Sequence, residues 1–357
     1  MWKLEDLGWS SQFAAAFEPL SGPDVVPGRI SLQHQHIYRA LTEGGEVLAR
    51  VAGRLRHQAA TPVEYPAVGD WVALRVRPGD VRASIQAVLP RRSRFSRKVP
   101  GDVTLEQVVA ANIDTVFIAT GLDGDFNLRR IERYLVTAWE SGAQPVVLLT
   151  KADLCEDLGS RMRDVETVVS GAPIHATSAR EGLGLDVVRS YLSPGRTVAL
   201  LGSSGVGKST LINRLIGRDV LRTAEVSDYR SRGRHTTTHR ELVPVPGGGL
   251  VIDTPGLREI QLWDAGGSLG TTFSDVEALA ADCRFGDCRH ESEPHCAVLA
   301  AVADGRLPAE RLDSYRKLRR EADYLALRQD QLAQIETKRR WKTIHKAMRN
   351  YTKGQVP

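Results

Sequence analysis

The stretch TVALLGSSGVGKSTLINRLIG, residues 197–217, decides the fold. An apolar run, Thr197–Leu201, leads into Gly202-Ser203-Ser204-Gly205-Val206-Gly207-Lys208-Ser209-Thr210, and an amphipathic run follows. This is the pattern G-x-x-x-x-G-K-[ST] in full, placed between a strand and a helix. Glycines let backbone N–H groups close around phosphate oxygens, and the helix N-terminus adds a favourable dipole. Lys208 can reach β- and γ-phosphates, and the Ser209 hydroxyl can ligate Mg²⁺. The expected ligand is a nucleoside triphosphate carried with magnesium.

Around this loop, buried strand patterns alternate with amphipathic helices. IDTVFIAT is followed by LRRIERYLVTAWE, in which Ile131, Tyr134, Leu135 and Ala138 share a face. PVVLLT, a helix near 160–169, PIHAT and the helix LGLDVVRSYL then lead to residue 197. The alternation predicts a mostly parallel sheet covered on both faces. Three further short segments at strand ends complete the site and together indicate guanine. Asp253-Thr-Pro-Gly256 closes GLVID, where Asp253 can hold Mg²⁺ through water and the Gly256 amide can sense a γ-phosphate. Thr150-Lys151-Ala152-Asp153 ends PVVLLT, and the Asp153 carboxylate can accept from guanine N1 and N2, donors that adenine lacks. The Lys151 stem can cover base and ribose. Thr177-Ser178-Ala179 follows PIHAT and can offer a backbone amide to the base oxygen. Together they point to GTP and GDP.

These motifs resemble those of the translation-factor-like GTPases, with two departures. Thr150 stands where the usual Asn-Lys-x-Asp pattern has asparagine, which removes an amide donor. The order also differs: TKAD and TSA precede the phosphate loop and DTPG comes last, so the domain is circularly permuted. The chain after DTPG then leads directly to the C-terminal region, tethering a γ-phosphate sensor to it. The position just after DTPG, often a water-orienting glutamine, is Leu257. The segment Ser231-Arg-Gly-Arg-His-Thr-Thr-Thr-His239 lies where a switch loop belongs. Thr237 can complete the magnesium shell, and His235 can orient the attacking water, with His239 as a rival and simple loop solvation as the alternative.

Downstream, Cys283-Arg-Phe-Gly-Asp-Cys288-Arg-His290-Glu-Ser-Glu-Pro-His-Cys296 reads C-x4-C-x-H-x5-C. Three cysteines and a histidine in a short loop suit one tetrahedral zinc with no open position, a structural metal. His295 could replace His290. Cys155 stands alone near the base-reading segment.

Upstream, RISLQHQHIYRAL, GGEVLARVAGRL, DWVALRVR and VRASIQAVL have strand character, with turn signals at Gly44-Gly45 and Pro78-Gly79-Asp80. About five short strands suggest a small barrel, an OB-fold for preference, with an SH3-like barrel fitting almost as well. The expected division is an N-terminal arm at 1–28, an OB-fold at 29–92, a permuted α/β P-loop domain at 93–265 and an α-rich zinc module at 266–357. The 357 residues suffice for several cores. No apolar run has membrane-span length, and the N-terminus lacks a secretory pattern, so a cytoplasmic location is expected. Net charge is +5, concentrated in two blocks: Arg91, Arg92, Arg94, Arg97 and Lys98, and a tail from Lys338 through Arg349 to Lys353. Such blocks suit a phosphate-rich partner or a solvated helix face. Trp71 and Phe95 could stack on RNA bases, though core or hinge packing is the plainer reading.

With the stretch Val68-Gly69-Asp70-Trp71-Val72, the permuted motifs, the RHTTT loop and the cysteine cluster, the chain resembles the ribosome small-subunit-dependent GTPase A family of bacteria. The resemblance implies late maturation of the 30S subunit, contact with its 16S rRNA, and GTP hydrolysis stimulated by that particle. It implies zinc at Cys283, Cys288, His290 and Cys296, and favours His235 as the catalytic histidine. A monomer is expected, with neither DNA nor membrane as partner.

Overall fold

The structure, a computed structural model of the chain, describes residues 2–76, 82–99, 105–217, 240–253 and 266–329. The N-terminal residues are more than an arm. Ala-rich SQFAAAF forms helix α1 (Ser11–Phe17), as its propensity favours. Leu7 and Phe13 are fully buried, and the Trp9 ring meets Trp71 edge-on at 4.7 Å. The barrel begins four residues earlier than expected, at Val25, and RISLQHQHIYRAL is two strands rather than one. Strands β1 (Val25–His34) and β2 (Ile37–Thr42) form a hairpin turning at Gln35, whose φ of 52° is left-handed. A second hairpin turn at Glu43-Gly44 leads into β3 (Gly45–Val51). Then comes a short helix, α2 (Gly53–Gln58), where strand character was expected to continue.

Strands β4 (Trp71–Val76) and β5 (Arg82–Val88) complete the barrel. The first half of β1 pairs with β4 and the second half with β2, across a register shift near Ile30. With β3 parallel to β5 and β5 antiparallel to β4, the order β1-β2-β3-β5-β4-β1 closes. A closed five-stranded barrel of this order is an OB-fold rather than the SH3-like alternative. Its interior is Ile30, Tyr38, Ala40, Ala49, Val72, Leu74, Ala83 and Ile85.

A ribbon of β6 (Arg94–Lys98) and β7 (Glu106–Ala111) links the barrel to a second sheet. That sheet is laid down by β8 (Thr115–Gly121), α3 (Leu128–Ser141), β9 (Gln144–Thr150), α4 (Leu158–Glu166), β10 (Ile174–Ala176) and α5 (Leu185–Ser190). It is completed by β11 (Thr197–Leu201), α6 (Lys208–Ile216), β12 (Glu241–Val245) and β13 (Gly248–Asp253). Strand order is β10-β9-β8-β11-β13-β12, parallel except for β12. The expected doubly covered sheet is present: α3 packs Ile131, Leu135 and Ala138 on one face, and α5 and α6 pack Val188, Leu211 and Leu215 on the other.

Beyond this sheet, α7 (Gly266–Thr272), α8 (Ser274–Ala280), α9 (Ala297–Ala303) and α10 (residues 309–329) form a helical module. Its core of Leu269, Phe273, Val276, Val298, Leu312, Tyr315 and Leu318 takes in Val136 of α3.

Barrel and sheet are joined by a common apolar cluster in which Leu41 and Trp71 of the barrel lie with Val116 and Ile252 of the sheet. Leu32 of β1 pairs with Glu241 of β12, making a single continuous sheet through both. Arg29 is buried where they meet. It donates to Gly69 O (3.3 Å), Asn112 O (3.0 Å), Thr197 Oγ1 (2.7 Å) and Leu7 O, tying arm, barrel and sheet together. Burial lowers its pKa to about 10. The Val68–Val72 stretch is structural in the same way. A Cβ on Gly69 (φ +90°) would meet Ala111 O at 2.1 Å, so only glycine fits. Asp70 is buried and bound in bidentate fashion by Arg91, at 2.8 and 2.7 Å. Trp71 and Phe95 lie in the core, which agrees with packing and removes them as stacking platforms. The Arg91–Lys98 block is mostly paired internally: Arg92 with Asp114 at 3.5 Å, Arg94 with Glu106 at 3.4 Å and Arg97 with Gln107 at 3.2 Å.

Candidate nucleotide site and metal centre

Parallel strands place their carboxyl ends on one edge, and ligands of open α/β sheets bind there. The base and phosphate segments converge on that edge. β9 runs into Lys151, Ala152 and Asp153, β10 into Thr177, Ser178 and Ala179, and β11 into the loop Gly202–Gly207. β13 ends on Asp253. The order along the chain is permuted, yet the segments are neighbours in space.

The phosphate loop has the backbone its sequence requires. Gly202 has φ +151°, and a Cβ there would sit 2.4 Å from Ala119 O on the adjacent strand. Gly207 precedes α6, so the helix N-terminus opens on the loop. Lys208 folds back over it, its ammonium donating to Gly202 O at 2.8 Å and to Ser203 O. Ser204, Gly205 and Thr210 are exposed, Ser203 and Ser209 half-buried, and Val206 anchors the loop in the core.

The base-reading segments are fixed to one another and to this loop. Ala152 N donates to Thr177 O (3.1 Å) and Thr177 N to Leu149 O (2.8 Å). Arg214 of α6 donates to Ala179 O and Arg180 O. Asp153 is exposed at the edge, where a ligand can reach it. Lys151 adopts a left-handed φ of 57° and pairs with Asp123 at 2.5 Å. Asp123 just past β8 was not anticipated, although a polar residue beyond the carboxyl end of a parallel strand is the signal that marks this edge. Burial pushes the Asp123 carboxyl up, but the hydrogen bond from Lys151, backbone N–H groups at Asp123 and Asp125 and the Lys151 charge together outweigh it and hold the group below its ordinary range. Thr150 is buried, and its hydroxyl lies 2.7 Å from Val206 O and 3.1 Å from Thr120 O. It therefore faces the phosphate loop rather than a base. Arg130, also unanticipated, reaches the Ser203 hydroxyl from the first turn of α3.

His235, Thr237, His239, Gly256 and Leu257 lie outside the described residues, as do the Asp253 side chain, the Pro78–Asp80 turn and the basic tail from Lys338. The segment between DTPG and α7, on which the tethered sensor depends, lies outside them too.

The metal-ligating atoms of Cys283, Cys288, His290 and Cys296 all lie within 4.8 Å of one another. Tetrahedral zinc, with bonds of about 2.3 Å to sulfur and about 2.05 Å to nitrogen, needs edges of about 3.8 Å between sulfurs and about 3.6 Å between sulfur and nitrogen. Cys283 and Cys296 sulfurs are 3.8 Å apart, and His290 Nδ1 is 3.7 and 3.5 Å from them. The residues thus fit a four-coordinate metal. His290, with a left-handed φ of 59°, is buried in the cluster, whereas the alternative, His295, is exposed. The loop is braced by Glu293, which accepts N–H groups of Arg289, Glu291 and Ser292. Those bonds hold its carboxyl down to about 2. Cys288 and Cys296 also belong to the helical module's core.

An OB barrel, a phosphate loop reached after its base-reading segments, and a Cys3His module define a circularly permuted P-loop GTPase. The family described as RsgA GTPase matches residues 88–263. The family described as 50S ribosome-binding GTPase matches residues 197–352, beginning at the first residue of β11, as a phosphate-loop-first order would. A relative from Opitutus terrae, "Small ribosomal subunit biogenesis GTPase RsgA", is 50% identical over 355 residues, 97% of each chain. One of the same name from Syntrophotalea carbinolica is 44% identical, covering 96% of this chain and 95% of its own. The crystal structure of YjeQ from Thermotoga maritima superposes with a TM-score of 0.61 at 27% identity, covering 84% of this chain and 98% of that one. That of YloQ, described as a circularly permuted GTPase, shares the fold with a TM-score of 0.59 at 24% identity, covering 84% and 95%. The chain belongs to the RsgA GTPase family.

Proposed function

We propose that this GTPase acts in biogenesis of the small ribosomal subunit, binding the 30S particle through its 16S rRNA late in maturation and hydrolysing GTP when stimulated by it. The observation that carries the reading is the near end-to-end match, at half identity, to a relative named for that process. In this reading Gly202–Thr210 cradles the phosphates, with Lys208 on the β- and γ-groups and Ser209 and Thr237 on magnesium. Asp253 acts on the metal through water, and the Gly256 amide senses the γ-phosphate. Asp153 reads guanine N1 and N2, Lys151 covers the base, and the Ser178–Ala179 backbone meets its oxygen. His235 orients the attacking water. Zinc is the metal of the Cys3His cluster and is structural. Magnesium arrives with GTP and supplies charge stabilisation at the transferred phosphate.

The chain works as a cytoplasmic monomer divided near residues 24, 92 and 265, the first boundary falling just before β1. Among the described residues, no helix is long and apolar enough to cross a membrane. The outer barrel surface and the basic run beyond Lys338 supply the contacts to rRNA phosphate, so binding weakens as salt rises. The test is pelleting with separated ribosomal subunits. With a non-hydrolysable GTP analogue the chain pellets with small subunits, and less so with GDP. Pelleting with large subunits alone would overturn the reading.

A further inference from the structure

Helix α3 touches two parts of the molecule that no established role connects. Its inner face lies on the sheet, but the charged side chains of its first turns point in two other directions. Arg130 donates to the Ser203 hydroxyl, in the second residue of the phosphate loop, and to Asp125 at 2.6 Å. The Ser203 carbonyl is in turn an acceptor for Lys208. Two residues on, fully buried Glu132 accepts from Arg311 of α10 at 2.7 Å. Arg311 is itself buried, donates to both oxygens of Asp275 at 2.9 and 2.8 Å and to Thr272 O at 2.8 Å, and lies 4.4 Å over the Phe273 ring. Arg133 then binds Glu321 of α10 in bidentate fashion, at 2.9 and 2.6 Å. Val136, one turn further, is packed in the core that also holds Cys288 and Cys296.

Residues 130 to 133 span about 5 Å of helix axis. Within that length, one rigid element is bonded to the phosphate loop on one side and to the metal-holding module on the other. Bidentate arginine–carboxylate pairs fix orientation as well as distance. A shift of the module against the sheet therefore moves Arg130 relative to Ser203.

We propose that α3 couples the C-terminal module to the phosphate loop, with Arg130 as the positioning residue, so that engagement of the module by a partner changes nucleotide release. The proposal rests on the nucleotide site described above and adds a route distinct from the chain connection after DTPG. Coupling of this kind is reciprocal: nucleotide occupancy then alters how the module is held.

The test uses the full metal-loaded chain and a fluorescent GDP analogue, without ribosomal particles, so its outcome is independent of whether the small subunit is the partner. Glu321→Arg sets two arginines against each other and is expected to change the GDP dissociation rate about threefold to tenfold. Adding Arg133→Glu restores a swapped pair and returns the rate to within about twofold of wild type. In an Arg130→Ala background, Glu321→Arg has no further effect on the rate. Metal content and melting temperature of each variant check folding, and the partly exposed Arg133–Glu321 pair is used because breaking the buried Glu132–Arg311 pair endangers the fold. An unchanged rate in Glu321→Arg, or the same change with and without Arg130, would overturn the proposal.

Discussion

Thr150 stands where the Asn-Lys-x-Asp pattern has asparagine, and the structure gives its hydroxyl work away from the base. At 2.7 Å from Val206 O it joins the base-reading segment to the phosphate loop. Thr150→Val keeps the shape and removes the donor, leaving a loop carbonyl short of a partner. A bond of this kind is worth about 1 kcal/mol, so GDP affinity should fall about fivefold. Titration with a fluorescent GDP analogue checks this, and unchanged affinity would show that the bond does not position the loop. The residue type was legible in the sequence, since a departure from a known pattern stands out. Its partner was not, because Val206 lies 56 positions away and contributes only a backbone oxygen. Asp123 and Arg130 were missed for the same reason: each acts on a motif residue, Lys151 or Ser203, from outside any motif.

The Cys3His loop and the helices around it behave as one element. Cys288 and Cys296 are ligand candidates and also core residues, packed with Phe273, Val298 and Tyr315. Removing the metal therefore loosens the packing of α8, α9 and α10 as well as the loop. Prolonged exposure to a strong chelator should lower helical ellipticity and open residues 283–329 to protease while leaving the parallel sheet protected. Equal protection with and without metal would contradict a structural role. Here the sequence was clear: spacing alone named the candidate ligands with His290 or His295 as the fourth, and the fold gathers His290 with the three cysteines. The barrel strands were less so. The hairpin at Gln35 carries none of the usual glycine or proline punctuation, so β1 and β2 read as one strand. Helix α2 was hidden because Gly53-Arg-Leu-Arg continues the apolar alternation of β3.

Across the whole molecule, permutation and assembly differ in how far the sequence reveals them. Motif order can be read along the chain, and with it the permuted GTPase. The joining of barrel to sheet cannot, since it depends on groups such as Arg29 and Thr197, 168 positions apart. Arg29, with the β1–β12 pairing and the buried N-terminal segment, makes barrel and GTPase sheet one body. A particle gripping the barrel therefore holds the nucleotide site in fixed orientation. That is the arrangement expected of an enzyme whose turnover depends on where it is docked. Leu257 in the water-orienting position implies slow turnover by the free chain. The most direct measurement is the steady-state rate of GTP hydrolysis by the full chain with and without purified small ribosomal subunits. Slow hydrolysis is expected from the chain alone, with stimulation of tenfold or more, on the order of 1.4 kcal/mol of barrier, by small subunits and not by large ones. A rate unchanged by small subunits would contradict it.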